Sequence, residues 1–304
     1  MSQQLKSSAN QGLHPVPCPH YTGLHTSQLI GRYAVQSLHQ ELATYPKPGL
    51  VSPVDSGSHQ DMDASIFFRS LFSLRRYFRE ISLAGMQSSS FAILKQLGIT
   101  AEDRMLKATQ GINTHRGAIF NLGLLAAAAS HLVKTDLSLQ KDALSNVIRV
   151  RWGDAIEQHG RSLPKTSHGS LVAANYGVGG ALREASSGFP HVFKVGLPAL
   201  QKSLVRGVDQ NSAAVQCLFS LMKDLADTNL LYRGGDSGLT FAQESARSFL
   251  ADGGVHRPGW YKHAVEIHRE FVNLNLSPGG SADLLAATLF VNRLQSRMNH
   301  DMAE

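Results

Sequence analysis

This sequence predicts an all-α fold: a single globular multi-helix domain behind a polar N-terminal tail. Three observations lead there. From about residue 27 onward, apolar residues recur at helical spacing. No stretch alternates apolar and polar side chains with β-branched enrichment, and no Asn-Gly or Asp-Gly pair stands between two such stretches. No low-complexity linker and no repeat of about 20–50 residues divides residues 30–297.

Composition sets the broad class. A chain of 304 residues, 42% hydrophobic and 17% charged, can bury a sizeable core and is neither a disordered chain nor a coiled coil. Its 29 Lys and Arg exceed its 23 Asp and Glu, a net charge of +6, with a pI near 9.4. That balance suits a phosphorylated small molecule, a nucleic acid or an anionic membrane surface. It suits equally a mildly basic enzyme with no bulk polyanion as partner. Cys18 and Cys217 form neither a CxxC pair nor a disulfide framework, which fits a reducing, cytoplasmic setting. The opening MSQQLKSSANQG has no apolar signal-peptide core. The longest apolar stretch, 117–129, is interrupted by Asn121 and falls short of the roughly 20 residues that span a bilayer. No membrane partner is expected.

Taken in order, residues 1–26 are rich in Ser, Gln, Pro and His and read as a flexible tail, with residues 27–304 as the domain. Leu29, Ile30, Tyr33, Ala34, Leu38 and Leu42 line one face of a first helix, which Tyr45-Pro46 stops. Ile66, Phe67, Ser70, Leu71, Leu74, Tyr77, Phe78 and Ile81 predict one continuous second helix. Asp61 and Asp63 lie at its N-terminal end, where carboxylates favour the dipole, and Arg69, Arg75, Arg76 and Arg79 decorate its surface. Thr100 with Asp103 reads as a capping box opening a helix that runs to Ala108. A turn at Gln110-Gly111 precedes a helix over 116–132. Further helices are expected over 139–159, 168–186, 211–226, 237–251, 259–273 and 281–297, with Asn211 and Ser237 as N-caps.

Several common catalytic signatures are missing: GxxxxGK[ST], HExxH, CxxC and GxSxG. Gly177-Val178-Gly179-Gly180 lacks the third glycine and the preceding strand of a dinucleotide site, and reads as tight helix packing. What remains is four polar, Gly- and Pro-rich segments between helices, the places where binding groups tend to lie. In the first, Glu41 to Asp63, Lys47 stands between two prolines. Ser56 and Ser58 can offer hydroxyls and N–H groups to phosphate, while Asp55, Asp61 and Asp63 supply hard oxygen ligands suited to Mg²⁺. The bland alternative is a Pro/Gly loop with Asp caps. In the second, Asn113, Thr114, His115 and Arg116 open an apolar helix, whose free N–H groups and dipole attract anions. An Asn/Thr cap beside a surface His-Arg pair is the alternative. In the third, Asp227 to Asp236, Arg233 precedes two glycines where a helix ends. The fourth, Leu276 to Asp283, turns through Pro278 and presents Ser277, Ser281 and Asp283.

Together TYPKPGLVSPVDSGSHQDMD, GINTHRGAIFNLGLL, DTNLLYRGG and NLSPGGSADLLA resemble the signature blocks of triphosphoribosyl-dephospho-CoA synthases, over roughly residues 29–295. One departure is Arg116, where many members of that family carry Lys. The resemblance implies a transferase that joins ATP to 3′-dephospho-CoA. The 2′-hydroxyl attacks C1′ of the ATP ribose, adenine leaves, and the triphosphate is retained. The product passes to a holo-acyl-carrier-protein transferase serving a malonate decarboxylase or a citrate lyase, the polar tail favouring the former. On chemical type, Lys47, His59, Arg116 and Arg233, with Ser56, Ser58, Asn113, Thr114, Ser277 and Ser281, are the expected phosphate and nucleotide contacts. Asp55, Asp61 and Asp63 are the expected Mg²⁺ ligands. His115 is the expected acid toward adenine, and Glu41, Asp227 or Asp283 the base or the group that steadies the cationic ribose. Two rivals stand beside this reading. One is a Mg²⁺-dependent helical hydrolase of ADP-ribose or nucleotides. The other is a nucleic-acid-binding protein using the Arg-bearing helix, disfavoured because the aromatics lie mostly on the apolar stripe. A homodimer is compatible with either enzymatic reading.

Overall fold

A computed structural model describes residues 23–135, 137, 139, 141–162, 172 and 175–301, and among them there is no strand. The helices are α1 (Gly23–Ala43), α2 (Ala64–Ser73), α3 (Arg75–Met86), α4 (Phe91–Ala108), α5 (Arg116–Lys134), α6 (Lys141–Ser162), α7 (Gly180–Ser186), α8 (Leu197–Val205), α9 (Gln210–Met222), α10 (Thr228–Ala251), α11 (Trp260–Asn273) and α12 (Gly279–Asp301). A π-turn at Val192–Gly196 leads into α8, and a 3-10 turn at Gly254–His256 follows α10.

The centre is α5, which packs against α1, α3, α4, α6 and α12. Its Ala126–Ala129 run is wholly buried, and small side chains let neighbouring helices approach closely. By length and composition α5 alone among the described residues passes as a membrane span, yet 72% of its apolar window is inside the domain. The Tyr77 hydroxyl donates to the Ile119 carbonyl at 2.9 Å, pinning α3 to α5.

Several expected boundaries change. Helix α1 begins at Gly23, inside the stretch read as tail. The single helix expected over 66–81 is two, broken at Leu74. There the Ser73 hydroxyl takes the Ser70 carbonyl at 2.7 Å, and Leu74 N–H closes a tight turn onto Leu71; a side chain competing with the backbone ladder ends a helix in this way. Thr100 does not cap a helix. It lies inside α4 and bonds back to the Gln96 carbonyl. Asp209, not Asn211, caps α9, because Asn211 is spent on both backbone groups of Tyr45 at 2.9 and 2.6 Å. The helix expected over 168–186 lies partly outside the described residues; within them it breaks at 177–179 before α7. The helix expected over 237–251 behind a Ser237 cap starts slightly earlier: α10 begins at Thr228 behind the Asp227 cap, and the non-helical Gly235 divides it into two helical runs, the second opening just ahead of Ser237. With φ 60° and ψ −158°, Gly235 occupies backbone space essentially closed to other residues.

Candidate active site

Five pieces of chain meet at one place: the C-terminal turn of α1, the 44–63 segment, and the N-termini of α5, α10 and α12. Residues 46–52, in the first of the Gly- and Pro-rich segments, are buried. Their polar groups are satisfied internally, as burial requires. Ser58 N–H donates to Gly49 O, and the Ser58 hydroxyl lies 2.6 Å from Leu276 O and 3.2 Å from Phe271 O. Ser58 is therefore a strut between this segment and the α11–α12 turn rather than a phosphate donor.

Lys47 is equally far from a free loop cation. Its ammonium donates to the Glu41 carboxylate at 2.6 Å and to the Glu41 carbonyl at 2.7 Å, with the two side chains 1% and 7% exposed. Burial holds the Lys47 pKa below its ordinary value, against the pull of Glu41. Asp227 caps α10 and also clamps the start of α12. Its Oδ1 accepts from Asn229 N and Gly280 N, and its Oδ2 from the N–H and hydroxyl of Ser281. Burial still raises its pKa in spite of those donors. Ser281 is thus committed to Asp227.

Asp283, one turn into α12, rests its carboxylate on the first turn of α5. It accepts Ala118 N–H, and a Cβ on Gly117 would lie 1.9 Å from its Oδ2. Only glycine leaves that seat open. The residue is half-buried, while its carboxylate is densely surrounded by protein. Burial first, then Glu41 and Asp227, push its pKa well above the usual carboxylate range. His115, just ahead of α5, is buried. Its Nδ1 lies 2.6 Å from the Ser70 hydroxyl, which accepts from Thr114 Oγ1 at 2.7 Å. When Ser70 donates to Nδ1, the imidazole proton stands on Nε2. That Nε2 is buried with no partner. Burial and the nearby Lys47 lower the His115 pKa to about 3. The ring is neutral at pH 7, so it serves as an N–H donor and not as an imidazolium acid.

At the cleft edge, Arg233 donates to Ser58 O and Asn275 O, each at 3.1 Å, to Asn275 Oδ1 at 2.8 Å, and to His59 Nδ1 at 3.1 Å. His59 Nε2–H then reaches Ser277 Oγ at 3.0 Å. Burial and Arg233 lower the His59 pKa to about 4. Asn113 and Arg116 point outward. Asn113 Oδ1 accepts Arg116 N–H at 3.1 Å, and the Arg116 side chain pairs with Glu102 through Nε at 2.6 Å.

The expected metal triad does not assemble. Asp63 spends Oδ1 on Ile66 N–H and the Ser65 hydroxyl as the cap of α2. Asp55 accepts Gly57 N–H and faces His268 Nε2 at 3.2 Å, and Asp61 is exposed near His59. Ser56 contributes its carbonyl to His59 N–H, closing the turn. Among the described residues no three His, Cys, Asp or Glu side chains gather as a metal-ligand group, so these residues do not fit a protein-built Mg²⁺ cage.

Sequence reasoning missed Ser70, Asn211, His268 and Asn275. His268 donates from Nδ1 to the Lys47 carbonyl at 2.7 Å, bracing the segment from α11. A signal existed: it sits among Ala264, Ile267 and Phe271 on the apolar face of α11, where an imidazole requires a partner.

A buried acid–base cluster framed by three helix N-termini, in an all-helical fold, is the arrangement of an enzyme. The chain belongs to the ATP:dephospho-CoA triphosphoribosyl transferase family, whose model matches residues 27–302. It is similar to a protein of Acinetobacter calcoaceticus named probable 2-(5″-triphosphoribosyl)-3′-dephosphocoenzyme-A synthase, at 42% identity over 85% of this chain and 88% of the relative. A protein of the same name from Pseudomonas putida is 38% identical over 88% of this chain and 95% of the relative. No solved structure matches the chain.

Proposed function

We propose that this enzyme joins ATP to 3′-dephospho-CoA, releasing adenine and forming 2′-(5″-triphosphoribosyl)-3′-dephospho-CoA. The observation that carries the reading is the His115 Nε2, buried and unpartnered at the same helix end that seats Asp283. Chemistry at a ribose C1′ needs a donor for the departing base and a carboxylate for the attacking hydroxyl or the cationic ribose. The triphosphate lies toward Arg233, the Ser277 hydroxyl and the outward face of Asn113 and Arg116, whose present protein partners it would share or replace. Mg²⁺ enters as the counter-ion of ATP rather than through Asp55, Asp61 and Asp63. The enzyme works in the cytoplasm, and its product goes to a transferase that loads an acyl-carrier subunit. We favour a malonate decarboxylase over a citrate lyase as the recipient, on the polar stretch ahead of α1. Loading assays against each carrier subunit decide that point.

Mass analysis of ATP, Mg²⁺ and 3′-dephospho-CoA incubated with the enzyme tests the reaction. Free adenine together with an adduct retaining all three phosphates is expected. ADP or inorganic phosphate as the main product refutes it, and triphosphoribose formed with water as acceptor turns the reading to the hydrolase.

A further inference from the structure

Resting on that reaction, we infer that Asp283 is the carboxylate that takes the proton of the attacking hydroxyl, and that His115 holds the departing adenine through Nε2–H. Three carboxylates share the cluster, and their existing partners tell them apart. Asp227 receives four donors and ties two helices together. Glu41 is locked to the buried Lys47 ammonium. Both have structural work that a proton would undo. Asp283 has one backbone donor, Ala118 N–H, and no cation; it alone of the three is half-buried.

Its placement is built in. The Asp283 carboxylate occupies the space a Cβ at Gly117 would fill, so two elements fix it at the start of α5, two residues from His115. The hydroxyl pair Thr114–Ser70 occupies the Nδ1 side of the imidazole, and Nε2 meets no protein group. Neighbouring carboxylates and burial raise the basicity of Asp283, moving it toward the working pH, where proton transfer is efficient.

The step balances as follows. The 2′-oxygen of dephospho-CoA bonds to C1′ as the C1′–N9 bond breaks and its electron pair leaves with adenine. Asp283 takes the hydroxyl proton. Adenine, its charge held by His115 Nε2–H, takes up a proton from water on release, and Asp283 returns its own to solvent. The phosphates do not react.

The test compares Asp283→Asn, Asp227→Asn, Glu41→Gln and Gly117→Ala by adenine release, by calorimetric binding of ATP and of 3′-dephospho-CoA, and by thermal melting. Asp283→Asn is expected to stay folded, bind both nucleotides within about threefold, and lose roughly 10²–10⁴-fold in kcat with the acidic limb of the pH profile flattened. Gly117→Ala, which displaces the carboxylate without removing it, should also lower kcat more than binding. Asp227→Asn and Glu41→Gln should change melting first. A folded Asp283→Asn that keeps kcat within about fivefold, or loses binding as much as turnover, overturns the inference. If wild-type enzyme forms no adduct, the proposed reaction falls and the inference with it. If wild type forms it and Asp283→Asn does too, only the inference falls.

Discussion

Replacing Lys47 by Met separates two opposed accounts of this residue. As an aimed phosphate cation, its loss would weaken ATP binding and leave folding nearly intact. The structure instead places its ammonium 2.6 Å from Glu41 Oε1, with both side chains almost fully enclosed. Removing one partner of such a pair leaves an uncompensated buried charge, at a cost of about 3–5 kcal/mol. Against a typical total stability of about 5–15 kcal/mol, that is a large fraction. For a domain of this size it lowers Tm by roughly 6–15 °C. Glu41→Gln/Lys47→Met leaves no charge behind and should recover part of the loss; the coupling between the two sites, about 1–3 kcal/mol, comes from the double-mutant cycle. Calorimetric melting of wild type, both single variants and the double variant supplies the numbers. A second signature follows from Asp283, which feels Glu41: without the Lys47 charge, the apparent base pKa in the kcat profile should rise. A Lys47→Met protein that melts within about 2 °C of wild type but no longer binds ATP would refute the reasoning and return Lys47 to the phosphates.

Other outcomes are expected. His59 has a folded pKa near 4, below its unfolded value. The unfolded chain therefore takes up its proton first, and the stability contributed by neutral His59 should fall as pH drops from about 6.5 through 4; the wild-type minus His59→Gln difference in Tm should shrink across that window. For Asp283 the sign reverses. Its folded pKa is raised, so its contribution is present below the unfolded carboxylate pKa and lost as pH rises through the folded one. Asp283→Asn should therefore melt higher than wild type at pH 8, with the gap closing in acid; a lower Tm at pH 8 contradicts the assignment. Asp63→Ala should lower Tm slightly through loss of the α2 cap, and neither it nor Asp61→Asn should alter the Mg²⁺ dependence of turnover.

The helical class was legible because periodicity reports burial directly: the α5 stripe, α11 and α12 all stand where the spacing puts them. Boundaries were less so, because they are decided by side-chain competition at single residues, such as Ser73 at the α2–α3 break and Asp209 in place of Asn211. The polar blocks located the site but misstated its chemistry. Residue type suggests a phosphate ligand for Lys47 or Ser58. Only the three-dimensional partners, Glu41 and the carbonyls of Phe271 and Leu276, show these groups committed to the frame. His268 and Ser70 were missed for the converse reason: each looks like one polar residue on an apolar helix face until its partner is seen.

The cluster is costly to fold, and that cost sorts its members. A buried carboxylate is tolerated when its charge is met. Asp227 meets it with four donors at the heads of α10 and α12, and Glu41 with an ammonium. Each of these partnerships also joins elements distant in sequence, so structure alone accounts for them. Asp283 lacks such compensation. It faces two like charges with a single backbone donor, on a seat that only glycine permits. His115 presents the same imbalance in neutral form, a buried ring nitrogen with no partner. Folding by itself favours an apolar residue at each position, since unsatisfied buried polar groups destabilise. Their joint placement at the head of α5 makes sense when a substrate completes both, with its hydroxyl against Asp283 and its base against His115. Within this cluster, the two groups least explained by the fold are then the two that the reaction uses.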